Sequence, residues 1–359
     1  MDASKGIGTA LIALLAATGA AAQEGGEAAG GGGIADIVVT ATRRPEKLQN
    51  IPVSVTALSG GAIGTPGIRQ LRDITQIAPA YTGSHNQMVM QPTIRGVGSS
   101  GTSLGDEANV ATYIDGVYQA DPWSTQNDLV EVERVEVLRG PQGTVFGRNA
   151  TGGLVNIITP DPAFETRGRV AGSYARMREG ANDFDIRTYV TGGVSDRVAM
   201  DFSGLFRQND GFITDLTNGG TIGAARAVAM RSKLMFQPSD AARIIVTASY
   251  VDSQDQTSTQ QPYHGNTMGA SIPGVLMPGD AWQVSYDVPP ENNFHRLELS
   301  LRTSFDLGVA SLETTTGFSQ TRVYQRADSD ASNIPVGFTD LEEKPDTYSQ
   351  EIRLLSPSG

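Results

Sequence analysis

The chain has 359 residues, a formal net charge of -12 at pH 7 and no cysteine. The acidic balance argues against a nucleic-acid partner, because no broad basic face is available to neutralise phosphates. The absence of cysteine excludes disulfides, a thiolate nucleophile and cysteine-based metal sites. The 42 glycines and the low aromatic content of 6% are typical of turn-rich β structure.

The N-terminus has the layout of a secretory signal. Lys5 precedes an apolar run over residues 6–22 that ends in three alanines. We expect residues 1–22 to be removed as a signal peptide. A membrane anchor is the alternative, although the run is short and a polar glycine tract follows it. No later segment reaches the roughly 20 apolar residues that a membrane helix needs, so a membrane-spanning form would have to use strands.

Residues 23–43 read as a flexible linker that carries an extended segment. Residues 23–33 (QEGGEAAGGGG) have the composition of a flexible tether. Ile34 to Thr42 is rich in β-branched residues and is predicted to be extended. It could be the first strand of a sheet, or it could add as a strand to the sheet edge of a partner.

Short strands and one helix are predicted between residues 44 and 120. Ile51 to Leu58 alternates as a strand, and further strands are predicted around residues 92–98 and 111–118. Ile68 to Ile77 has apolar residues at helical spacing before Pro79, which predicts a short amphipathic helix. This combination of short strands and a helix indicates a small mixed α/β domain.

The stretch from Val130 to Pro162 is the most informative part of the chain. Apolar and charged residues alternate from Val130 to Leu138, and a second apolar run covers Leu154 to Ile158, which predicts two strands. The loop between them is rich in residues that favour turns: Gly140, Pro141, Gly143, Gly147, Gly152 and Gly153. It lacks the phosphate-binding pattern G-x-x-x-x-G-K-[ST]. A hairpin in a soluble β domain is the plain alternative.

Three motifs in this stretch resemble a known family. The sequences VEVLRGPQG (135–143), FGRNATGG (146–153) and VNII (155–158) closely resemble the end of the plug domain in TonB-dependent outer-membrane receptors. The segments upstream resemble the earlier plug segments in the same order. The resemblance implies a plug domain over residues 44–160. It also implies a TonB box, which would bind a TonB-type energy-coupling protein, at Asp36, Ile37, Val38, Val39, Thr40 and Ala41.

Residues 161–359 are predicted to form strands of a transmembrane barrel. Val198, Met200 and Phe202 would share one strand face, while Asp201 and Ser203 would share the other. We expect about eight such strands, joined alternately by short turns and long polar loops. A soluble β-sandwich also alternates, but it seldom has such long connections. The predicted fold class is an α+β plug followed by antiparallel transmembrane β-barrel strands.

The predicted barrel is incomplete. Barrels that enclose a plug use about 22 strands, whereas eight leave room only for their own side chains. An open sheet edge also cannot stand in lipid. We therefore expect the sequence to be the N-terminal part of a longer receptor, present as a fragment, a truncated gene product or an abandoned reading frame.

The resemblance also suggests contacts between plug and barrel. It places Arg95 and Arg139 where plug arginines of the family face acidic barrel residues. Ile352 and Leu354 would face lipid, so Glu351 would face inward. We expect Glu351 to pair with Arg139 or Arg95 through charge-assisted hydrogen bonds. The alternative is that all three are solvated charges of the lumen.

The implied function is energised import of a bulky nutrient, most often a ferric siderophore, across the outer membrane of a Gram-negative cell after Sec-type secretion. His85, His264 and His295 lack ligand spacing, and no catalytic constellation stands out, so we expect no enzyme, metal site or cofactor. A signalling receptor of the same family and a porin or adhesin barrel are the alternatives. The sequence does not identify the ligand-binding residues.

Overall fold

The computed structural model describes residues 38–40, 43–44, 46–63, 70–86, 89–99, 108–126, 128–256 and 272–356. The predicted signal peptide, residues 23–37 of the linker, and the TonB-box positions Asp36, Ile37 and Ala41 lie outside the described residues. The described residues belong to one compact unit, Val38–Gly359. The predicted domain boundaries stay predictions.

Residues 38–161, here called the N-terminal region, contain short strands and short helices. The strands are β1 (Val38–Val39), β2 (Glu46–Lys47), β3 (Ser54–Ser59), β4 (Tyr81–Asn86), β5 (Val89–Ile94), β6 (Val97–Gly98), β7 (Val110–Ile114), β8 (Val117–Tyr118), β9 (Arg134–Arg139) and β10 (Gly153–Ile158). The helices are α1 (Gly60–Ile63), α2 (Gly143–Phe146) and three 3-10 helices at Leu48–Asn50, Leu71–Gln76 and Pro122–Gln126.

A mixed five-stranded sheet organises this region, in the order β3-β9-β10-β7-β8. Strands β10 and β7 are parallel, and the other neighbours are antiparallel. Because side chains alternate along a strand, the sheet has two different faces. Val137 and Val155 pack on one face with Leu71, whereas Leu138 packs on the other face with Ile51. Both faces are therefore covered.

The helix predicted over Ile68 to Ile77 is a 3-10 helix, Leu71–Gln76; residues 64–69 are outside the described part of the chain. Leu71 and Ile74 are buried, and Ile77 packs against the same cluster. These residues are three apart, which aligns them on a helix with three residues per turn. The spacing that suggested an α-helix thus fits the tighter helix equally well.

The second part of the described chain consists mainly of long strands. The strands are β11 (Arg167–Arg176), β12 (Asn182–Ser195), β13 (Val198–Asn209), β14 (Ile213–Asp215), β15 (Thr221–Ile222), β16 (Ala225–Ser239), β17 (Ala242–Asp255), β18 (Gln283–Val284), β19 (Glu291–Asp306), β20 (Ser311–Asp328), β21 (Phe338–Glu343) and β22 (Asp346–Leu355). A 3-10 turn at Arg178–Gly180 lies between β11 and β12.

Nine of these strands form one antiparallel sheet, here called the large sheet. Its order is β11-β12-β13-β16-β17-β19-β20-β21, with β22 pairing with the other half of β20. The eight long strands and the fold class predicted from alternation are confirmed. Among the described residues, β11 pairs only with β12, and β22 only with β20, so the large sheet does not close.

The alternation of the large sheet separates an apolar outer face from a polar inner face. On β22, Ile352 and Leu354 are about 70% exposed, whereas Glu351 and Arg353 turn towards the N-terminal region. Strands β14, β15 and β18 form a separate three-stranded sheet. In the part of the chain that the structure describes, no helix has the length and apolar character needed to cross a membrane.

The N-terminal region packs against the inner face of the large sheet, and a glycine permits the closest approach. A Cβ atom built on Gly317 of β20 would lie 2.6 Å from Cγ1 of Val117 and 2.7 Å from Oγ of Ser349. Val117 is buried in β8. Gly317 therefore lets β20 and β8 meet without a gap.

We expect Gly317→Ala to lower the free energy of unfolding by about 1–3 kcal/mol, the usual cost of overpacking. The control is Gly172→Ala on exposed β11, where an added Cβ meets no atom closer than 3.6 Å. This control should be neutral or slightly stabilising, because alanine loses less backbone entropy on folding. Denaturant titration of the protein in detergent measures both. Equal stabilities of the two variants would contradict the assigned packing.

Candidate functional site

A continuous segment of the N-terminal region, residues 115–123, binds the inner face of the large sheet and is here called the wall clamp. It begins at the turn between β7 and β8, where Asp115 and Gly116 both have positive φ, 49° and 85°. Two such residues form the tight turn that matches the twist of antiparallel strands. The turn carries the Asp115 side chain into the interface with β16.

Lys233 of β16 is fully buried and binds this turn. Its Nζ atom lies 3.0 Å from Oδ2 of Asp115 and 3.2 Å from Oδ1 of Asp161. It also donates to the backbone carbonyls of Thr159 (3.1 Å) and Pro160 (2.9 Å). A buried ammonium group needs such partners, because desolvation of an unpaired charge is very costly. Lys233 thereby joins two separate segments of the N-terminal region.

The charges around Asp115 keep its carboxylate ionised. Burial by itself raises the pKa of Asp115, but the positive charges of Lys233, Arg302 and Arg231 outweigh burial, and the pKa lies below its ordinary value. The resulting stabilisation is fully present above the ordinary pKa of about 3.9 and is lost as the pH falls through the lower folded value. We therefore expect these contacts to persist under mildly acidic conditions.

The rest of the wall clamp binds β19 and β21. Arg296 of β19 is buried and donates to Oδ2 of Asp121 and Oε1 of Gln119, both at 2.6 Å. The indole N–H of Trp123 donates to Oε2 of Glu343 at 2.5 Å, and both side chains are buried. Charge-assisted bonds of this kind are short and strong. The clamp is therefore held by polar contacts at defined positions.

Two of the three described residues of the predicted TonB box, Val39 and Thr40, are packed, whereas Val38 is exposed, although a flexible linker was expected here. Val39 is fully buried, and β1 pairs with β2. The backbone N–H and the hydroxyl group of Thr40 both donate to the buried carboxylate of Glu136, at 2.9 Å and 3.1 Å. Asn156 of β10 donates to the same Thr40 hydroxyl at 3.1 Å.

The predicted partner of Glu351 was wrong. Glu351 faces inward as expected, but its carboxylate lies 3.3 Å from Nη2 of Arg43. Among the described residues, neither Arg95 nor Arg139 forms an ion pair with Glu351; Arg95 instead donates to Oγ of Ser54 at 3.4 Å. The alternation of β22 gives the face of Glu351 but not the position of its partner. Arg43 was overlooked because it was assigned to the linker.

The guanidinium group of Arg43 also stacks on two aromatic rings within the N-terminal region. Its guanidinium carbon lies 4.1 Å from the ring centroid of Phe146 and 4.8 Å from that of Tyr113. Burial, the largest influence, lowers the pKa of Arg43, while the charge of Glu351 opposes this effect. Arg44 donates to the carbonyl oxygen of Ser356 at 3.2 Å. These contacts connect the segment after Thr40 to β22 and the residue that follows it.

The glycine-rich motif forms the connection between β9 and β10. Gly140, Pro141, Gly143 and Gly147 lie before or around α2, and Gly152 and Gly153 lead into β10. Gly153 has a φ of 145°, and a Cβ atom there would lie 2.2 Å from the carbonyl oxygen of Leu138. Only glycine fits this approach. The motif residues thus form the tight connection between two neighbouring strands of the sheet.

A cavity of about 590 Å³ separates part of the N-terminal region from the large sheet. Its lining includes Thr40, Arg43 and Asn156 on one side, and Arg302 and Arg353 on the other. Arg302 donates to Asp161 at one edge of the cavity. Within the described residues, no group of three or more histidine, aspartate or glutamate side chains is placed to hold a metal ion.

We expect Asp115→Asn to lower the free energy of unfolding by roughly 3 kcal/mol, because it leaves a buried ammonium group with one carboxylate fewer. The control is Asp346→Asn, which breaks the exposed ion pair with Arg322 (2.8 Å) and should cost less than about 1 kcal/mol. Fluorescence of buried Trp123 during denaturant titration measures the difference. A cost for Asp115→Asn no larger than that of the control would contradict the role of the buried pair.

Comparison with known proteins supports the resemblance carried by the motifs. The family model of the TonB-dependent receptor plug domain matches residues 47–154. The pesticin receptor of Yersinia pestis is 31% identical over 209 residues, which are 57% of this chain and 30% of that receptor. The ferrioxamine B receptor of Salmonella typhimurium is 26% identical over 66% of this chain and 33% of its own length. The chain thus spans about a third of the curated relatives it matches.

Solved structures share the fold. The ferric yersiniabactin uptake receptor FyuA from Yersinia pestis has a TM-score of 0.69 at 22% identity, over 86% of this chain and 46% of that chain. The siderophore receptor PiuA from Acinetobacter baumannii has a TM-score of 0.67 at 16% identity, over 88% of this chain and 44% of that chain. This chain shares with these structures the fold of a plug domain packed against antiparallel barrel strands, and residues 47–154 match the TonB-dependent receptor plug domain.

Proposed function

We propose that this chain is the plug-bearing part of an outer-membrane receptor that imports a ferric siderophore or a similarly bulky nutrient. The observation that carries the proposal is the N-terminal region bound to the inner face of a transmembrane-type sheet through buried ion pairs such as Lys233 with Asp115. A domain held in this position obstructs free diffusion. Import of a bulky ligand then requires that energy be spent to displace this domain.

The ligand class rests on the relatives. One curated relative is named a ferrioxamine B receptor, and the similar structures include a ferric yersiniabactin uptake receptor and two siderophore receptors. A ferric siderophore is therefore the first candidate, and the described residues contain no metal cluster that would bind iron directly.

The energy source is proposed to be a TonB-type protein that binds residues 36–41 by strand addition. In this mode the backbone of an extended peptide supplies the hydrogen bonds, and no preformed pocket is needed. In the proposed organisation, residues 1–22 are a signal peptide, residues 23–43 a linker with the TonB box, residues 44–160 the plug, and residues 161–359 the start of the barrel. The chain then acts as a transporter and not as an enzyme.

The alternatives place different demands on the sequence. A signalling receptor of this family needs a folded domain before the TonB box, whereas residues 23–33 have the composition of a flexible tether. A porin or adhesin barrel needs no plug, whereas the plug-domain family matches residues 47–154. Energised transport fits both observations.

We expect deletion of residues 36–41 to abolish uptake while ligand binding at the cell surface is retained. The reason is that binding needs the outward side of the receptor, whereas transport needs the energy-coupling partner. Uptake and binding of radioiron-labelled ferrioxamine B and yersiniabactin are measured in cells that carry the receptor containing this chain. Deletion of residues 25–30 in the glycine tract is a control of equal length and should leave uptake intact. Normal uptake without residues 36–41 would refute the proposal.

A further inference from the structure

The outer face of the large sheet changes from apolar to polar towards the end that carries the long connections. Near the short turns, register pairs across four strands align the exposed side chains of Met200, Leu234, Val246 and Leu301. Eight residues further along β13, the same register aligns a second row, here called the polar row: Gln208, Arg226, Gln254 and Asn293. Because residues an even number of positions apart share a strand face, both rows lie on the outer face.

The polar row lies at the level expected for lipid headgroups. Gln208 follows Val198, the first residue of β13, by ten positions. Ten residues of a strand span about 33 Å, and a tilt of about 40° reduces this length to a height of about 25 Å. The apolar band of a transmembrane barrel is also about 25 Å tall. The polar row therefore lies where the apolar part of a membrane ends and the headgroups begin.

A pocket of about 820 Å³, here called the rim pocket, lies at this level. The whole polar row and Phe206 belong to its lining, together with the segment 287–290 that leads into β19. The volume is in the range of pockets that hold small molecules. Pro289 and Pro290 have no backbone N–H and a fixed φ, so this side of the pocket is stiff and offers carbonyl acceptors.

The lining of the rim pocket suits a ligand with many hydroxyl groups. Six carboxamide side chains belong to it, namely Gln208, Asn209, Gln254, Gln256, Asn292 and Asn293. A carboxamide offers donors and an acceptor, and a hydroxyl group likewise donates and accepts. The lining has two arginines and three carboxylates, which are Arg226, Arg326, Asp255, Asp287 and Glu291. A purely anionic ligand is therefore disfavoured, whereas a sugar fits this mixture of donors and acceptors.

Two neighbours in the polar row have side chains that are available to a ligand. Arg226 and Gln254 are register partners, and both are exposed. Neither side chain forms a hydrogen bond or an ion pair with another residue in the described part of the chain. The guanidinium carbon of Arg226 lies 6.0 Å from the ring centroid of Phe206, at the outer limit of a cation–π contact. By contrast, Arg326 of the same pocket pairs with Asp340 at 2.9 Å.

We propose that the rim pocket binds the sugar headgroup of a membrane glycolipid, with Arg226 and Gln254 forming hydrogen bonds to its hydroxyl groups. A lipid-linked sugar is favoured over a free one because the polar row lies on the outer face at headgroup level. There the membrane presents such sugars at a high effective concentration. The pocket holds the receptor in a defined contact with its membrane, and this role does not depend on which nutrient is imported.

Binding of lipopolysaccharide to the purified receptor that contains this chain tests the proposal. The receptor is held in detergent with added rough-type lipopolysaccharide, and the bound glycolipid is measured by native mass spectrometry. Arg226→Ala combined with Gln254→Ala should weaken binding about tenfold or more, because one charge-assisted hydrogen bond corresponds to at least about a factor of ten. Binding of the double variant equal to that of the unmodified receptor would overturn the proposed site.

The matched control changes the same two residue types outside the rim pocket. Gln320→Ala combined with Arg322→Ala alters the outward face of β20, since these residues pair in register with Leu297 and His295 on β19. This control should bind lipopolysaccharide as the unmodified receptor does. Heat-dependent migration in gel electrophoresis verifies that the barrel of each variant is folded. Equal losses in the control and in the pocket variant would also overturn the site.

Three further probes identify the part of the glycolipid that is bound. Dephosphorylated lipopolysaccharide should bind as well as the intact form, and phosphatidylglycerol, which is anionic but has no sugar, should not compete. Loss of binding on dephosphorylation would overturn the assignment to a sugar. The soluble core oligosaccharide, which has no acyl chains, should compete only weakly. Equal affinity for the soluble oligosaccharide would show a site for free sugars and would overturn the assignment to a lipid.

Discussion

The position of the N-terminal region depends on one buried lysine. Lys233 projects from β16 into an interface where water is excluded, and the region supplies two carboxylates and two backbone carbonyls around its Nζ atom. A buried ammonium group is tolerated only when it is paired. The turn at Asp115 must therefore contact the large sheet at Lys233. This requirement fixes which edge of the five-stranded sheet faces the large sheet. Strand β8, at one edge of the five-stranded sheet, lies against the large sheet, and β3 forms the opposite edge.

The same requirement explains the unequal distribution of contacts along the N-terminal region. Residues 115–123 combine buried ion pairs, short hydrogen bonds and the close approach of Val117 to Gly317. The described part of residues 38–59 is held by the edge strand β3, a few apolar side chains, the hydrogen bonds of Thr40 and the ion pair of Arg43 with Glu351. The ion pairs of residues 115–123 are more deeply buried than the pair of Arg43 with Glu351. The strongest polar contacts with the large sheet therefore lie at the β8 edge of the five-stranded sheet.

The sequence predicts the strands and their faces better than it predicts which side chains pair between distant segments. Alternation over residues such as Val198 to Phe206 gives the inner and outer faces correctly, because side-chain direction has a period of two. It does not give the height at which a side chain on β22 meets the plug, since that depends on register between distant segments. Glu351 was therefore placed on the correct face but was expected to pair with Arg139 or Arg95, whereas it pairs with Arg43. Because the residues before it are rich in glycine, Arg43 was assigned to a flexible linker, and its ordered contacts were not predicted.

Glu136 shows why a strand pattern can be read correctly and its environment missed. The alternation in VEVERVEVLR predicts one buried and one wet face, and Glu136 belongs to the charged set. In the fold both faces are covered, and Glu136 is fully buried with Thr40, Arg134 and Asn156 around it. Its partners Thr40 and Asn156 lie 96 and 20 positions away in the chain. A buried carboxylate requires such partners, and no local pattern in the strand indicates which distant segments supply them.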